Sequence, residues 1–289
     1  VWFNSGSNTW PIEATGAASP FYGFTIENTE GRSPLPIPAF VDLNGDGLLD
    51  LVVGISPTTA RNAAALLVWF NGVPNTWSTE ATGLANPLVG FTEGGSYKAP
   101  AFADVNGDGF VDYVHGQYDG RIMVYLNDGN NVYTKATLSE NPFTTSGQLR
   151  DFGSKSKPAF ADVVGDSRLD LVVGTYGSEI NEINEINEIS GQGIRFFVLE
   201  NDGSNEWPEI TGAANPFPCP VEGCYPSSVD WKTWWQTSPT FADIDGDGDL
   251  DLVFGNYAGE CIRLCFAPAL PACTLSLAHT SPLRLLLYP

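Results

Sequence analysis

Four short apolar runs closed by glycine punctuate the chain: Leu51-Val52-Val53-Gly54, Tyr113-Val114-His115-Gly116, Leu171-Val172-Val173-Gly174 and Leu252-Val253-Phe254-Gly255. β-Branched and aromatic residues bounded by turn formers read as strands. A second set lies upstream: Pro38-Ala39-Phe40, Pro100-Ala101-Phe102, Pro158-Ala159-Phe160 and Pro239-Thr240-Phe241. Between the members of each pair runs a polar loop, so each loop joins two strands. A later block supplies further strands and turns, starting at Val1-Trp2-Phe3-Asn4, Val68-Trp69-Phe70-Asn71, Val124-Tyr125-Leu126-Asn127 and Phe197-Val198-Leu199-Glu200-Asn201. These copies run on to Pro20-Phe21, Pro87-Leu88, Asn141-Pro142-Phe143 and Asn215-Pro216-Phe217.

The first aspartates of the loops fall at 42, 104, 162 and 243, giving steps of 62, 58 and 81. Self-similarity at a near-constant period marks a repeat architecture. About four short strands in each unit predict an all-β fold, a β-propeller of four-stranded antiparallel blades stacked radially so that each blade buries its faces on its neighbours. About four blades are present over residues 1–260, either closing into a four-bladed ring or forming a piece of a larger one. Two insertions lengthen the last step: the Ile-Asn-Glu repeat of 180–189, read as a solvated loop, and Cys219 to Trp235, which gathers Trp231, Trp234 and Trp235. Residues 261–289 match no earlier unit and are expected to hold one strand followed by a disordered tail or an edge-covering segment.

Composition narrows the partners. A net charge of −21 argues against nucleic acid and anionic membrane. The four loops hold 14 of the 34 acidic residues, so the imbalance is largely local, and four divalent ions would bring −21 to −13. Five cysteines do not make a disulfide framework, although Cys219 and Cys224 lie close enough to close a small loop, and no Cys-x-x-Cys pair suggests zinc. No apolar stretch is long enough for a membrane span, so no membrane insertion is expected, and no signal peptide is visible. The first residues repeat Val68-Trp69-Phe70-Asn71 from mid-unit, which reads as a processed product or a fragment.

The loops carry the most specific chemistry. Asp42-Leu43-Asn44-Gly45-Asp46-Gly47-Leu48-Leu49-Asp50 sets side-chain oxygens at positions 1, 3, 5 and 9, with glycine at position 6 for a sharp turn. Such a set can converge on one hard cation of calcium size. An EF-hand would need a bidentate Glu at position 12, where Val53, His115, Val173 and Phe254 stand. The other reading, solvated turns without metal, leaves like-charged carboxylates crowded together without neutralisation.

The motif Phe-Ala-Asp-x-Asn-Gly-Asp-Gly-x-x-Asp, read with its following strand, resembles the FG-GAP and VCBS repeats of integrin-α-like propellers. That resemblance implies rings that usually have seven blades and calcium in the hairpin between a blade's first two strands. Matched to the motif, the ligands are Asp42, Asn44, Asp46 and Asp50; Asp104, Asn106, Asp108 and Asp112; and Asp243, Asp245, Asp247 and Asp251. Carbonyls of Leu48, Phe110 and Asp249 complete the shells. The third loop departs from the pattern, with Val164 for the position-3 ligand, Ser167 for the turn glycine and Arg168 beside the site. Asp162, Asp166 and Asp170 are therefore expected to bind calcium weakly or to replace it with hydrogen bonds. The implied cofactor is Ca2+ at about three strong sites and one degenerate site.

Catalytic signatures are few. Two histidines, His115 in a strand and His279 in the tail, and no His-Glu-x-x-His, Gly-x-Ser-x-Gly or phosphate loop lead to the expectation of no enzymatic activity. Trp10, Trp77, Tyr133 and Trp207 share one register and are read first as inter-blade packing, with a sugar-stacking pocket as the other reading. Trp231, Trp234 and Trp235 are candidate ligand-contact residues. The expected function is an extracellular, calcium-stabilised adhesion or recognition module, lectin-like or protein-binding, with a protein or glycan ligand. The alternative is the non-catalytic accessory domain of a larger secreted enzyme.

Overall fold

A computed structural model of the chain describes residues 2–3, 12–13, 19, 21, 36–56, 65–72, 76–91, 97–175, 196–211, 214–217, 237–244, 248, 250–255, 261–264 and 283–286. Among these residues the structure is all-β apart from short 3-10 turns, at Gly83–Ala85 and at Ala214, and no helix is long and apolar enough to cross a membrane. Four sheets follow one another, each built on a polar hairpin. Ile37–Val41 pairs antiparallel with Asp50–Ile55, and that strand with Ala65–Trp69. The second blade runs Ala99–Ala103, Asp112–Gly116, Ile122–Asn127 and Tyr133–Lys135, antiparallel throughout. The third runs Lys157–Ala161, Asp170–Gly174 and Phe197–Leu199. The fourth begins Ser238–Ala242, Asp251–Gly255 and Cys261–Leu264.

In the second blade the outermost strand is a continuous antiparallel ladder. In the first it is split into the pairing of Asn71–Gly72 with Thr76–Trp77 and the bridge Val68–Ala81, and in the third it shrinks to the bridge Leu199–Glu209. Pro208 explains the third: it has no N–H to give, so only its carbonyl takes part, accepting from Glu200 N at 3.0 Å. In the fourth blade Leu283–Leu286 adds to Cys261–Leu264 in parallel. The Ile-Asn-Glu repeat and the Cys219 to Trp235 insertion, with Trp231, Trp234 and Trp235, lie outside the described residues.

The period of two decides where the core lies. In the runs Tyr113-Val114-His115 and Leu171-Val172-Val173, the first and third residues face the preceding blade and the second faces the next. Thus Val52 packs with Tyr113 and Met123, Val114 with Leu171 and Val173, and Val172 with Leu252 and Phe254. The first strands of successive blades lie side by side, as inner strands of a propeller do.

Two sequence features reveal their purpose here. The glycine of the second strand in the first three blades marks a close approach: a Cβ on Gly54 would lie 2.2 Å from Lys98 O, on Gly116 1.9 Å from Ser156 O, and on Gly174 2.7 Å from Thr237 O. Each contact is made with the residue entering the next blade. The Asn-Pro-Phe loops are clamps. Buried Asn141 donates from Nδ2 to Ile122 O at 3.2 Å and accepts from Phe143 N at 2.8 Å, which drives the Phe143 ring between blades two and three. Asn86 and Asn215 make the same pair of bonds, to Leu66 O and Leu88 N and to Phe196 O and Phe217 N.

Candidate functional site

The first two polar loops share one geometry. Asp42 folds its loop around its own carboxylate: Oδ1 accepts from Gly45 N at 2.8 Å and Asp46 N at 3.1 Å, and Oδ2 from Gly47 N at 2.8 Å. Asp104 repeats this with Gly107, Asp108 and Gly109 at 2.7, 3.1 and 2.7 Å. The turn needs left-handed backbone at Gly45 and Gly47, φ 75° and 84°, and at Gly107 and Gly109. Asn44 and Asp46 stand exposed above it, with Asn44 Nδ2 3.0 Å from Asp46 Oδ2, and Asn106 and Asp108 do the same at 2.9 Å.

The ninth aspartate behaves differently from the others. Asp50, Asp112 and Asp170 are fully buried and Asp251 nearly so. Asp50 accepts from Leu43 N at 3.0 Å on one oxygen and from Asn71 N at 2.8 Å on the other, tying the loop to the end of the third strand. Asp112 joins Val105 and Asn127 in the same way, and Asp170 joins Val163 and Asn201. Burial is the main cause that pushes these carboxyls up, to about 6 for Asp112, with Asp108 and Asp104 adding to it and the two N–H donors opposing it. Asp50 and Asp170 are raised for the same first reason.

The fourth loop shows the same anchors: Gly248 N donates to Asp243 Oδ2 at 3.1 Å and Ile244 N to Asp251 Oδ2 at 2.9 Å. Asp245, Asp247 and Asp249 lie outside the described residues. The third loop keeps the fold with different parts. Asp162 accepts from Gly165, Asp166 and Ser167 at 2.7, 3.1 and 2.8 Å, although Ser167 must take φ 69°. Arg168 pairs with Asp166, and its Nε donates to Asn201 O at 2.6 Å.

Oxygen-only donors from Asp, Asn and main-chain carbonyl are chemistry for a hard cation, and the first two loops fit one. Positions 1, 3 and 5 are at the surface and position 9 lies beneath, and a cation there would offset the mutual repulsion of the carboxylates. Among the described residues no three His, Cys, Asp or Glu side chains are drawn together at one point. Any such cation would be held by a mixed set in which Asn44 or Asn106 and a carbonyl stand beside the aspartates.

The repeated aromatic register goes to packing. Trp207 is buried, edge-on to Phe143 at 5.2 Å and Phe160 at 6.3 Å, and Tyr133 is buried in the core between blades one and two. Trp77 is half-buried against Phe21 at 5.3 Å, and Trp10 lies outside the described residues. His115 is fully buried, stacked on Tyr113 at 5.3 Å and Tyr125 at 5.8 Å. Burial above all, then Lys98 and Lys135, hold its imidazole well below the usual range, so it sits neutral in the blade interface. Sequence reasoning missed the exposure of position 8: Leu49, Val111, Leu169 and Leu250, one per blade, are 41–57% exposed beside the loops. Their common register was the available signal.

An all-β chain of repeated blades, each with its Asp-rich hairpin between the first two strands, is a propeller of the repeat class. Residues 42–115 and 104–173 match the model of the FG-GAP-like repeat, and the chain carries such repeats over that span. A comparison with curated proteins finds no match. Among solved structures, an Agrocybe aegerita lectin described by its specific recognition of non-reducing terminal N-acetylglucosamine is similar at 16% identity and a TM-score of 0.37. The similarity covers 88% of this chain and 54% of that one, so the chain spans about half that lectin's length.

Proposed function

We propose that the chain is an extracellular recognition module whose propeller blades are stabilised by calcium. The observation that carries this is the repeated loop geometry: a position-1 aspartate wrapped by its own loop, an exposed Asn-Asp pair above it, and a buried aspartate below. In this reading one ion is held by Asp42, Asn44, Asp46, the Leu48 carbonyl and Asp50, and a second by Asp104, Asn106, Asp108, the Phe110 carbonyl and Asp112. A third is held by Asp243, Asp245, Asp247, the Asp249 carbonyl and Asp251. Calcium there is a staple that couples loop order to folding. Sites of this kind suit the millimolar calcium found outside cells.

The module binds rather than catalyses. Support comes from Tyr133, Trp207 and His115 being buried in the packing between blades, away from any substrate. Recognition is by the loop face, where Leu49, Val111, Leu169 and Leu250 put apolar surface beside acidic loops, a mixture suited to a protein ligand more than to a glycan. The test is a glycan array run beside capture of candidate extracellular proteins, both with calcium and with chelator. Calcium-dependent protein capture with a blank array supports the reading; strong glycan binding moves the ligand class to carbohydrate; capture that ignores chelator removes the role of calcium.

A further inference from the structure

The third loop holds the same backbone shape as the first two while lacking their means of doing so. Val164 offers no side-chain oxygen at position 3, and Ser167 sits at φ 69°, a conformation that costs a non-glycine residue about 1 kcal/mol. The donor set does not fit a calcium ion. Yet the hydrogen bonds of Asp162 match those of Asp42 and Asp104 to within 0.1 Å, at 2.7, 3.1 and 2.8 Å. Asp170 goes further than Asp50: its Oδ2 accepts from both Val163 N at 2.9 Å and Val164 N at 3.2 Å.

Arg168 fills the gap. At position 7 the side chain lies across the loop toward the turn after the third strand: in blade two, the Phe110 ring is so close to Gly129 that a Cβ there would fall 2.5 Å from it. In blade three Arg168 takes that path toward Gly203, where a Cβ would lie 4.0 Å from its guanidinium. The guanidinium then pairs with Asp166 and donates to the Asn201 carbonyl at 2.6 Å. A planar cation with several donors can bridge a carboxylate and a carbonyl at once, which an ammonium does less well.

We infer that Arg168 is a resident counter-cation that takes the place of the metal in the third loop, so that this blade closes without calcium while the others depend on it. The inference rests on the calcium reading of the other loops, and it makes the propeller's response to calcium uneven along the chain, with the third blade as its metal-independent part.

The experiment counts calcium in the full chain by calorimetry and follows thermal unfolding in calcium and in chelator. Asp104→Asn lowers the count by one, and Asp162→Asn leaves it unchanged. Arg168→Gln lowers Tm by about 2–4 °C, equally with and without calcium, the effect of losing a partly exposed ion pair and one hydrogen bond in a chain of this size. The combined Val164→Asn, Ser167→Gly and Arg168→Phe variant, which copies the second loop at positions 3, 6 and 7, gains one ion. Loss of an ion in Asp162→Asn, an unchanged Tm in Arg168→Gln, or no added ion in the combined variant overturns the inference. A wild-type chain that binds no calcium sinks the proposed function instead, and the Tm of Arg168→Gln in chelator then decides the role of Arg168.

Discussion

Replacing Gly116 by alanine tests how the blades are held together. Gly116 does not have a positive φ, so alanine fits its backbone; what alanine does not fit is the neighbour. Its Cβ would stand 1.9 Å from Ser156 O, 2.6 Å from Ser156 C and 2.8 Å from Ser156 Oγ, so the entry to the third blade must move. Overpacking of this kind costs about 1–3 kcal/mol. The movement also disturbs the hydrogen bonds that cross the interface, Gln117 N to Ser156 Oγ and Ser156 N to Gln117 O, both at 3.1 Å, at about 1 kcal/mol for the pair once partly relaxed. Together these give about 2–4 kcal/mol, or a fall of about 5–10 °C in Tm for a domain of this size. Scanning calorimetry in excess calcium measures it. Ser156→Ala, which removes the hydroxyl contacts without a clash, should cost about 2–4 °C. A Gly116→Ala protein melting within about 1 °C of wild type, or less affected than Ser156→Ala, refutes the inter-blade role of this glycine.

Two further outcomes follow from the same interfaces. Asn141→Ala removes both bonds that seat Phe143 and leaves Ile122 O without that donor, a loss of about 2–3 kcal/mol visible as a lower denaturant midpoint with unchanged slope. Lys157 sets a pH dependence: burial first, then Lys155, lowers its folded pKa from 10.5 to about 8. The unfolded chain therefore binds the extra proton between those values, and stability rises with pH from about 8 to 10.5, the destabilisation being fully present below 8. Partial exposure of the side chain discounts the effect to about 1–2 kcal/mol. Urea midpoints at pH 7 and 9.5 should diverge between wild type and Lys157→Met, which lacks the rise; parallel behaviour of the two proteins contradicts the assignment.

The strands and their hairpins were legible because an apolar run closed by glycine and a loop with aspartate at positions 1, 5 and 9 are local signals repeated four times. The face each strand residue buries was also implicit in its alternation, as Val114 and Tyr113 demonstrate by facing opposite blades. What the residues could not announce were partners distant in sequence. Asp50 reads as one more loop carboxylate, and only the fold brings Asn71 N, 21 residues away, to its second oxygen. Gly116 looks like the end of a strand until Ser156 arrives against it. Asn141 looks like a turn residue until its amide meets Ile122 O. Arg168 is the intermediate case: its charge beside the third loop was plain, while its reach to Asn201 O depends on the turn after the third strand.

Calcium binding by the intact chain tests the central claim most directly. Calorimetric titration is paired with melting in calcium and in chelator. At free calcium about 100-fold above Kd each site contributes about 2.7 kcal/mol. Binding of about three ions, with Tm falling by at least about 15 °C on chelation, is the predicted result. No binding heat and the same Tm in both conditions would contradict the account, since the Asp-rich loops would then order themselves without a metal.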